Sequence, residues 1–264
     1  MSKVYLKTYF YVDHEIKFLV ANLLEAYDHV EKFIMCEFNR THTGRPREML
    51  GWEHLKARLP QDKLDKVLYL PLDISDLTKE AYENEDLIHS LNEPIMRSCF
   101  MKAVNLEDED IIVSVDADEI IYNEAYPKII DFVKNKGTCK LNLHQFFYKT
   151  TYFWKDKDFI APTAIKYKNF KNRFPCNLRY EGHLFPEKAG CHFSWCMTPK
   201  EMVYKLHTYS HPRYRFLANE EVLKTAIDNK EYPFDKSINF EIEEINPDDP
   251  KLPKSLKEKT GIEL

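Results

Sequence analysis

Apolar positions in the first half of the chain fall into short unbroken runs separated by wider-spaced stripes. VYLKTYFYV (4–12), KFIMCEF (32–38), DKVLYLPLD (65–73) and IIVSVD (111–116) are runs of strand length, dense in aromatic and β-branched residues. After the first run comes Asp13, a residue type that caps helices, and Ile16, Leu19, Val20, Leu23 and Leu24 then recur at helical spacing from about Glu15. After the third run, Leu87, Leu91, Ile95 and Cys99 form a stripe with Ile88, Met96 and Phe100 beside it, which predicts one long helix from about Tyr82 to Asn105. Apolar strands alternating with helices describe an α/β domain whose central sheet is mostly parallel and covered on both faces.

Beyond a short predicted helix over 124–134 the pattern changes. CKLNLHQFFYKTTYFW (139–154), FIAPTAIKY (159–167) and 177–193 read as antiparallel strands with aromatics throughout, followed by helices over 199–206 and 214–229. From Glu241 the composition turns to Pro, Asp, Glu and Lys, which predicts a loosely attached tail over 241–264. With no repeat or linker in between, 1–240 reads as a single domain in two halves. Residues 1–135 form a nucleotide-binding half and 136–240 a half that shapes an acceptor site.

Composition narrows the classes. With 44% hydrophobic residues in 264 the chain buries a sizeable core, and a formal charge of −5 argues against a nucleic-acid partner held by electrostatics. Lysines and acids are interspersed, so there is no polybasic membrane patch. No run approaches the roughly 20 apolar residues of a membrane span. MSKVYLKTYFYV enters a strand pattern directly, without a signal-peptide run, and the expected location is cytoplasmic. The six cysteines contain no CxxC and read as reduced and buried, although Cys191 and Cys196 are close enough in sequence to bridge or share a metal.

The candidate chemistry begins where IIVSVD ends. Asp116, Asp118 and Glu119 lie at the carboxyl end of a central strand, where open α/β sheets bind ligands. Carboxylates one residue apart suit a hard divalent cation that keeps room for phosphate oxygens; the plain alternative is a solvated turn. A phosphatase signature starts in the same way, but Ile120 and the late position in the chain tell against it. In AGCHFSWC (189–196), His192 and Trp195 are a pair that can line a sugar pocket, or simply a packed strand. KLHTYSHPRY (205–214) offers His207 and His211, and a loop histidine can complete a cation's coordination. NRTHTGRPR (39–47), with Arg40, can cradle phosphates through backbone N–H groups and guanidiniums, but it matches no P-loop. Arg97, on the helix before the acidic strand, is either a phosphate ligand or a surface charge.

Taken together and in order, CEFNRTHTGRP, VSVDADEI, AGCHFSWC and KLHTYSH resemble glycosyltransferase family 17, the family that adds the bisecting N-acetylglucosamine to N-glycans. The matching positions are Glu37, Thr41 and Gly44; Asp116, Asp118, Glu119 and Ile120; Gly190, His192, Ser194, Trp195 and Cys196; and Lys205 with His211. The resemblance implies a GT-A-type nucleotide-sugar-binding fold, a UDP-sugar donor, a glycan acceptor, inversion at the anomeric carbon, and Mn²⁺ or Mg²⁺ held by the D-x-D. On that basis Asp118 ligates the cation, Asp116 ligates it or the donor's ribose, and His211 is the third ligand. Glu37, Arg40, Arg97, His192 and Trp195 are expected to contact the donor. Glu119 is the nearest base, with Glu187 and Glu181 as rivals. Two other readings use parts of the same set. A metal-dependent phosphoesterase would need the carboxylates, and a non-catalytic glycan binder would need only the Trp–His pocket.

Overall fold

The computed structural model describes residues 2–78, 84–173 and 175–257. Its strands are β1 (Val4–Phe10), β2 (Lys32–Phe38), β3 (Val67–Leu72), β4 (Ile111–Asp116), β5 (Glu119–Ile121), β6 (Thr138–Phe147), β7 (Tyr152–Phe159), β8 (Thr163–Lys166), β9 (His183–Ser194) and β10 (Ile242–Glu244). All ten belong to one sheet. The first four pair in parallel in the order β3-β2-β1-β4. Alternate side chains of these strands feed opposite layers. Leu6, Phe10, Phe33 and Val113 pack into one apolar cluster, and Tyr5, Tyr9, Ile34 and Ile112 into another. Burying each large side chain contributes about 1.5–3 kcal/mol, so the two-sided runs are what hold the sheet in the centre of the molecule.

Past β4 the sheet turns antiparallel: β8 runs against β4, β6 against β8, β7 against β6, and β10 against β7 at the edge. The expected mixed α/β sheet, with a parallel core and an antiparallel half, is therefore the fold. One pairing departs from expectation. β9 lies parallel to β6, because the chain reverses through β7 and β8 before returning. On its other side β9 takes the short β5 antiparallel, which ties the acidic motif into the second half.

Several elements differ from the sequence reading. Asp13 does not cap a helix: its carboxylate pairs with Arg47 at 2.6 Å, and a 3-10 turn, Asp13–Phe18, precedes the Leu19–Ala26 helix. The long helix is broken into Glu85–Leu87, a π turn Ile88–Asn92, and Glu93–Ser98; Tyr82 lies outside the described residues. Pro94 has no N–H to offer the preceding turn, which widens there. The strand expected over 139–154 splits at Tyr148, whose φ of 68° turns the chain between β6 and β7. The tail is not loose as far as residue 257. Leu252 and Leu256 are buried, the Lys251 carbonyl accepts from Tyr122 Oη at 2.5 Å, and Ser255 N donates to Glu25 Oε1 at 2.9 Å. All six cysteines are free. Among the described residues no helix is long and apolar enough to cross a membrane.

Candidate functional site

From β1 the chain moves to β2 on one side and later places β4 on the other. The carboxyl ends of β1 and β4 therefore flank the point where strand order reverses, with Tyr9 opposite Asp116. A cavity of about 320 Å³ opens there. Asp116, Asp118 and Glu119 form its floor, and Arg97, Arg179 and Lys205 enter from three different elements.

The acidic turn is held by backbone contacts on both sides. Asn22 Nδ2 donates to the Ala117 carbonyl at 2.6 Å, and Phe193 N donates to the Asp118 carbonyl at 2.8 Å. Glu119 Oε2 accepts the Asp116 N–H at 2.7 Å, folding the motif back on itself. Asp116 is then claimed by two guanidiniums. Arg97 donates to both of its oxygens at 2.9 and 3.3 Å, and Arg179 donates to Oδ1 at 3.1 Å. Burial favours the protonated Asp116, but Arg179 and Arg97 outweigh it and hold this carboxyl well below the usual carboxylate range. Arg97 is itself fixed by Glu93 at 2.8 Å, and Arg179 also binds Glu119 Oε1 at 2.5 Å.

Asp118 is in the opposite situation. It is 5% exposed and accepts no side-chain hydrogen bond among the described residues. Lys205 Nζ and His192 Nε2 stand 3.9 and 3.8 Å from its Oδ2, beyond hydrogen-bond length. Burial, then the charge of Glu15, pushes its proton affinity well up. Lys205 meanwhile is committed to Glu15 at 2.9 Å.

His192 is oriented by Gln145. The amide nitrogen of Gln145 donates to the Phe146 carbonyl at 3.2 Å, so its oxygen faces His192 Nδ1 at 2.9 Å. Nδ1 therefore carries the proton, and Nε2 turns a lone pair toward Asp118. Burial and the nearby Lys205 lower the His192 pKa to about 3, keeping the ring neutral. A free carboxylate beside a fixed imidazole lone pair is a donor set that fits a divalent cation. Five carboxyl groups, those of Glu15, Glu93, Asp116, Asp118 and Glu119, line the cavity against three permanent cations, so a bound divalent cation would offset the two in excess when they ionise.

A second cavity of about 310 Å³ adjoins the first across a shared wall that includes His192, Trp195, Tyr209 and His211. Its other side is aromatic, with Trp154, Tyr214, Tyr232 and Phe234. Trp195 takes a left-handed φ of 56° at the end of β9, and Lys205 Nζ lies 5.2 Å from its ring.

Other expected site residues lie elsewhere. Glu37 is fully buried and accepts from the Gly51 N–H, Tyr69 Oη and Arg47, and it lines neither cavity. Arg40 donates to Ser75 at 3.0 Å and lines neither cavity; from the 39–47 loop it is His42 that reaches the wall of the first. Glu187 is half-exposed on β9, paired with Lys128 at 2.5 Å, and Glu181 pairs with Arg173. Neither lines the first or the second cavity. His207 also lines neither cavity. His211 does not converge with Asp116 and Asp118. Its Nδ1 is bonded to Glu85, because the Pro199–Thr208 helix ends before it and Tyr209 continues in extended backbone. Sequence reading missed Glu15, Glu93, Gln145 and Arg179 and gave Lys205 no role. Only Glu93 left a signal, lying four residues after His89 and four before Arg97.

A model of glycosyltransferase family 17 matches residues 3–230. The chain is 24% identical over 238 residues to the β-1,4-mannosyl-glycoprotein 4-β-N-acetylglucosaminyltransferases of Homo sapiens and Rattus norvegicus. The match covers 74% of this chain and 41% of each relative, so the chain spans less than half the length of these relatives. Among solved structures it is similar to a 4-diphosphocytidyl-2C-methyl-D-erythritol synthase, with TM-score 0.43 and 9% identity over 72% of this chain and 90% of that one. It is also similar to the galactosyltransferase LgtC in complex with donor and acceptor sugar analogues, with TM-score 0.36 and 7% identity over 64% and 60% of the two chains.

Proposed function

The chain belongs to glycosyltransferase family 17, and from that premise we propose that it moves N-acetylglucosamine from a UDP-sugar to a glycan hydroxyl, with inversion and with the help of a divalent cation. The observation that carries the reading is the floor of the first cavity. There a buried carboxylate, Asp118, with no donor among the described residues, faces the fixed lone pair of His192, next to two guanidiniums anchored on Asp116.

Asp118 and His192 would hold Mn²⁺ or Mg²⁺, which supplies Lewis-acid neutralisation of charge on the departing diphosphate. Arg97 and Arg179 do complementary work. Each spends some N–H groups on Asp116 and keeps others for anionic oxygens, so their charge is preorganised where the leaving group's charge develops. The aromatic cavity beyond Trp195 offers apolar faces for the acceptor's sugar rings, and the wall shared by the cavities brings acceptor and donor together.

The acceptor hydroxyl must lose a proton as it attacks. Glu187 is too far out to take it. Glu119 and Glu15 both line the cavity, and burial raises the proton affinity of each, the direction a base working near neutrality needs. Glu119 has both oxygens occupied and also braces the acidic turn, so Glu119→Gln would weaken donor binding as well as turnover. A pure base would lose turnover alone.

The decisive experiment is calorimetric titration of UDP-N-acetylglucosamine, UDP, UDP-glucose and GDP-mannose in Mn²⁺ and again in EDTA. Binding of the UDP compounds that needs metal and disappears in Asp118→Ala supports the reading. Absence of nucleotide-sugar binding in Mn²⁺, with or without a glycan acceptor present, overturns it.

A further inference from the structure

The mouth of the first cavity holds a cluster that the transfer reaction does not use. Glu85 and His89 sit one helical turn apart, and His211 reaches them from the segment after the Pro199–Thr208 helix. One ligand atom from each of the three lies within 4.8 Å of the others. Glu85 Oε1 is bonded to His211 Nδ1 and lies 3.4 Å from His89 Nε2, and the two imidazole rings are 5.0 Å apart. Two ligands of a tetrahedral ion with bonds of about 2.1 Å stand about 3.4 Å apart, so the spacing is already of that order.

The cluster is also braced from behind. His89 Nδ1 donates to Glu93 Oε2 at 2.7 Å, which leaves Nε2, 3.4 Å from Glu85 Oε1, as the nitrogen that would take a metal in place of its proton. A carboxylate behind a histidine is the arrangement that orients and strengthens metal-binding imidazoles. The other oxygen of Glu93 holds Arg97, and Arg97 holds Asp116. Arg213 Nε, 3.6 Å from Glu85 Oε2, lies on the oxygen that faces away from the histidines. The three side chains are part-exposed, so an ion can enter from solvent.

We propose that Glu85, His89 and His211 form a second metal site, separate from the Asp118–His192 pair, that takes a borderline divalent cation such as zinc. Two imidazoles and one carboxylate select zinc or cobalt over the oxygen-loving Mg²⁺, and three protein ligands leave a fourth position open. The ion would staple the segment that leads into the Arg97 helix to the segment that follows the Lys205 helix, joining two walls of the cavity at its mouth. This inference does not depend on the transferase reading, because it concerns metal binding alone.

The test uses the full chain stripped with EDTA, titrated with Zn²⁺ by calorimetry and with Co²⁺ by visible absorption. One zinc-class site is expected, unchanged in Asp118→Ala and at least about tenfold weaker in His211→Ala and His89→Ala, with the Co²⁺ band lost in both. Glu93→Gln should weaken it by about 10–100-fold through the orientation of His89. His211 is part-exposed, and a melting curve of His211→Ala without metal confirms that the variant folds. Failure of the wild type to bind Zn²⁺, undiminished binding in His211→Ala, or loss of the site in Asp118→Ala would each overturn the proposal.

Discussion

Asp118 and Glu187 are both acidic residues singled out by the sequence, and burial separates them. Asp118 is buried and accepts no side-chain hydrogen bond among the described residues, a state that costs stability and persists where a ligand supplies the missing charge. Asp118→Asn keeps the shape and removes the charge. It should leave the metal-free protein as stable as the wild type or about 1 kcal/mol more so, while transfer falls by about 100-fold or more. A denaturant melt in EDTA and an initial-rate assay check both halves, and a variant that is less stable than wild type would contradict the unpaired-carboxylate description. Glu187→Gln removes only an exposed pair with Lys128, worth at most about 1 kcal/mol. Its turnover should stay within about twofold of wild type, and a large loss would return Glu187 to the list of bases.

At the scale of elements, the β5–β9 pairing decides whether the acidic turn exists in its active shape. Gly190 faces Ile121 across this pair, and a Cβ there would come within 2.0 Å of the Ile120 carbonyl oxygen. Backbone cannot give way cheaply, so Gly190→Ala should cost about 1–3 kcal/mol or more. It should also displace Glu119, which pairs with His192 two steps along. Urea unfolding and donor titration together test this; a variant with full stability and full donor affinity would show that the strands separate easily. Gly190 was legible in the sequence as part of a motif, but its reason is a contact with residues some seventy positions away. The same division runs through the whole reading. The runs at 4–12, 32–38 and 111–116 became strands because their pattern is local. The break at Pro94 and the turn at Tyr148 are local as well, but they were outvoted by apolar periodicity on both sides. Arg179 was invisible because only the folded chain brings its turn to Asp116, and His211 was assigned to the nearest known carboxylates when Glu85 was the one within reach.

For the molecule as a whole, histidines desolvated by the fold contribute to the acid limit. Burial lowers the pKa of His42 to about 3 and those of His54 and His144 to about 4, each from an ordinary value near 6.5. Below about pH 6.5 the unfolded chain takes up protons at these rings that the folded chain refuses, so stability is full above that pH and drains away as pH falls toward 4. Each such proton steepens the decline by about 1.4 kcal/mol per pH unit. His89 shifts the other way, chiefly through its hydrogen bond to Glu93. Its contribution is complete below its unfolded pKa and is lost only as pH rises above it, so it does not mask the acid effect. His42 isolates one proton of the slope. Its ring stacks on Tyr11 with centroids 3.6 Å apart, and among the described residues neither ring nitrogen has a hydrogen-bond partner, so it packs like an aromatic hydrocarbon. In EDTA, wild-type unfolding free energy should fall steadily from pH 6.5 to 4.5. His42→Phe should show a shallower fall, by about one proton, and greater stability at pH 5. A wild-type profile that stays flat across that window would mean the rings are protonated in the fold, with Glu93 and Asp116, whose charges favour the protonated His42, outweighing its burial.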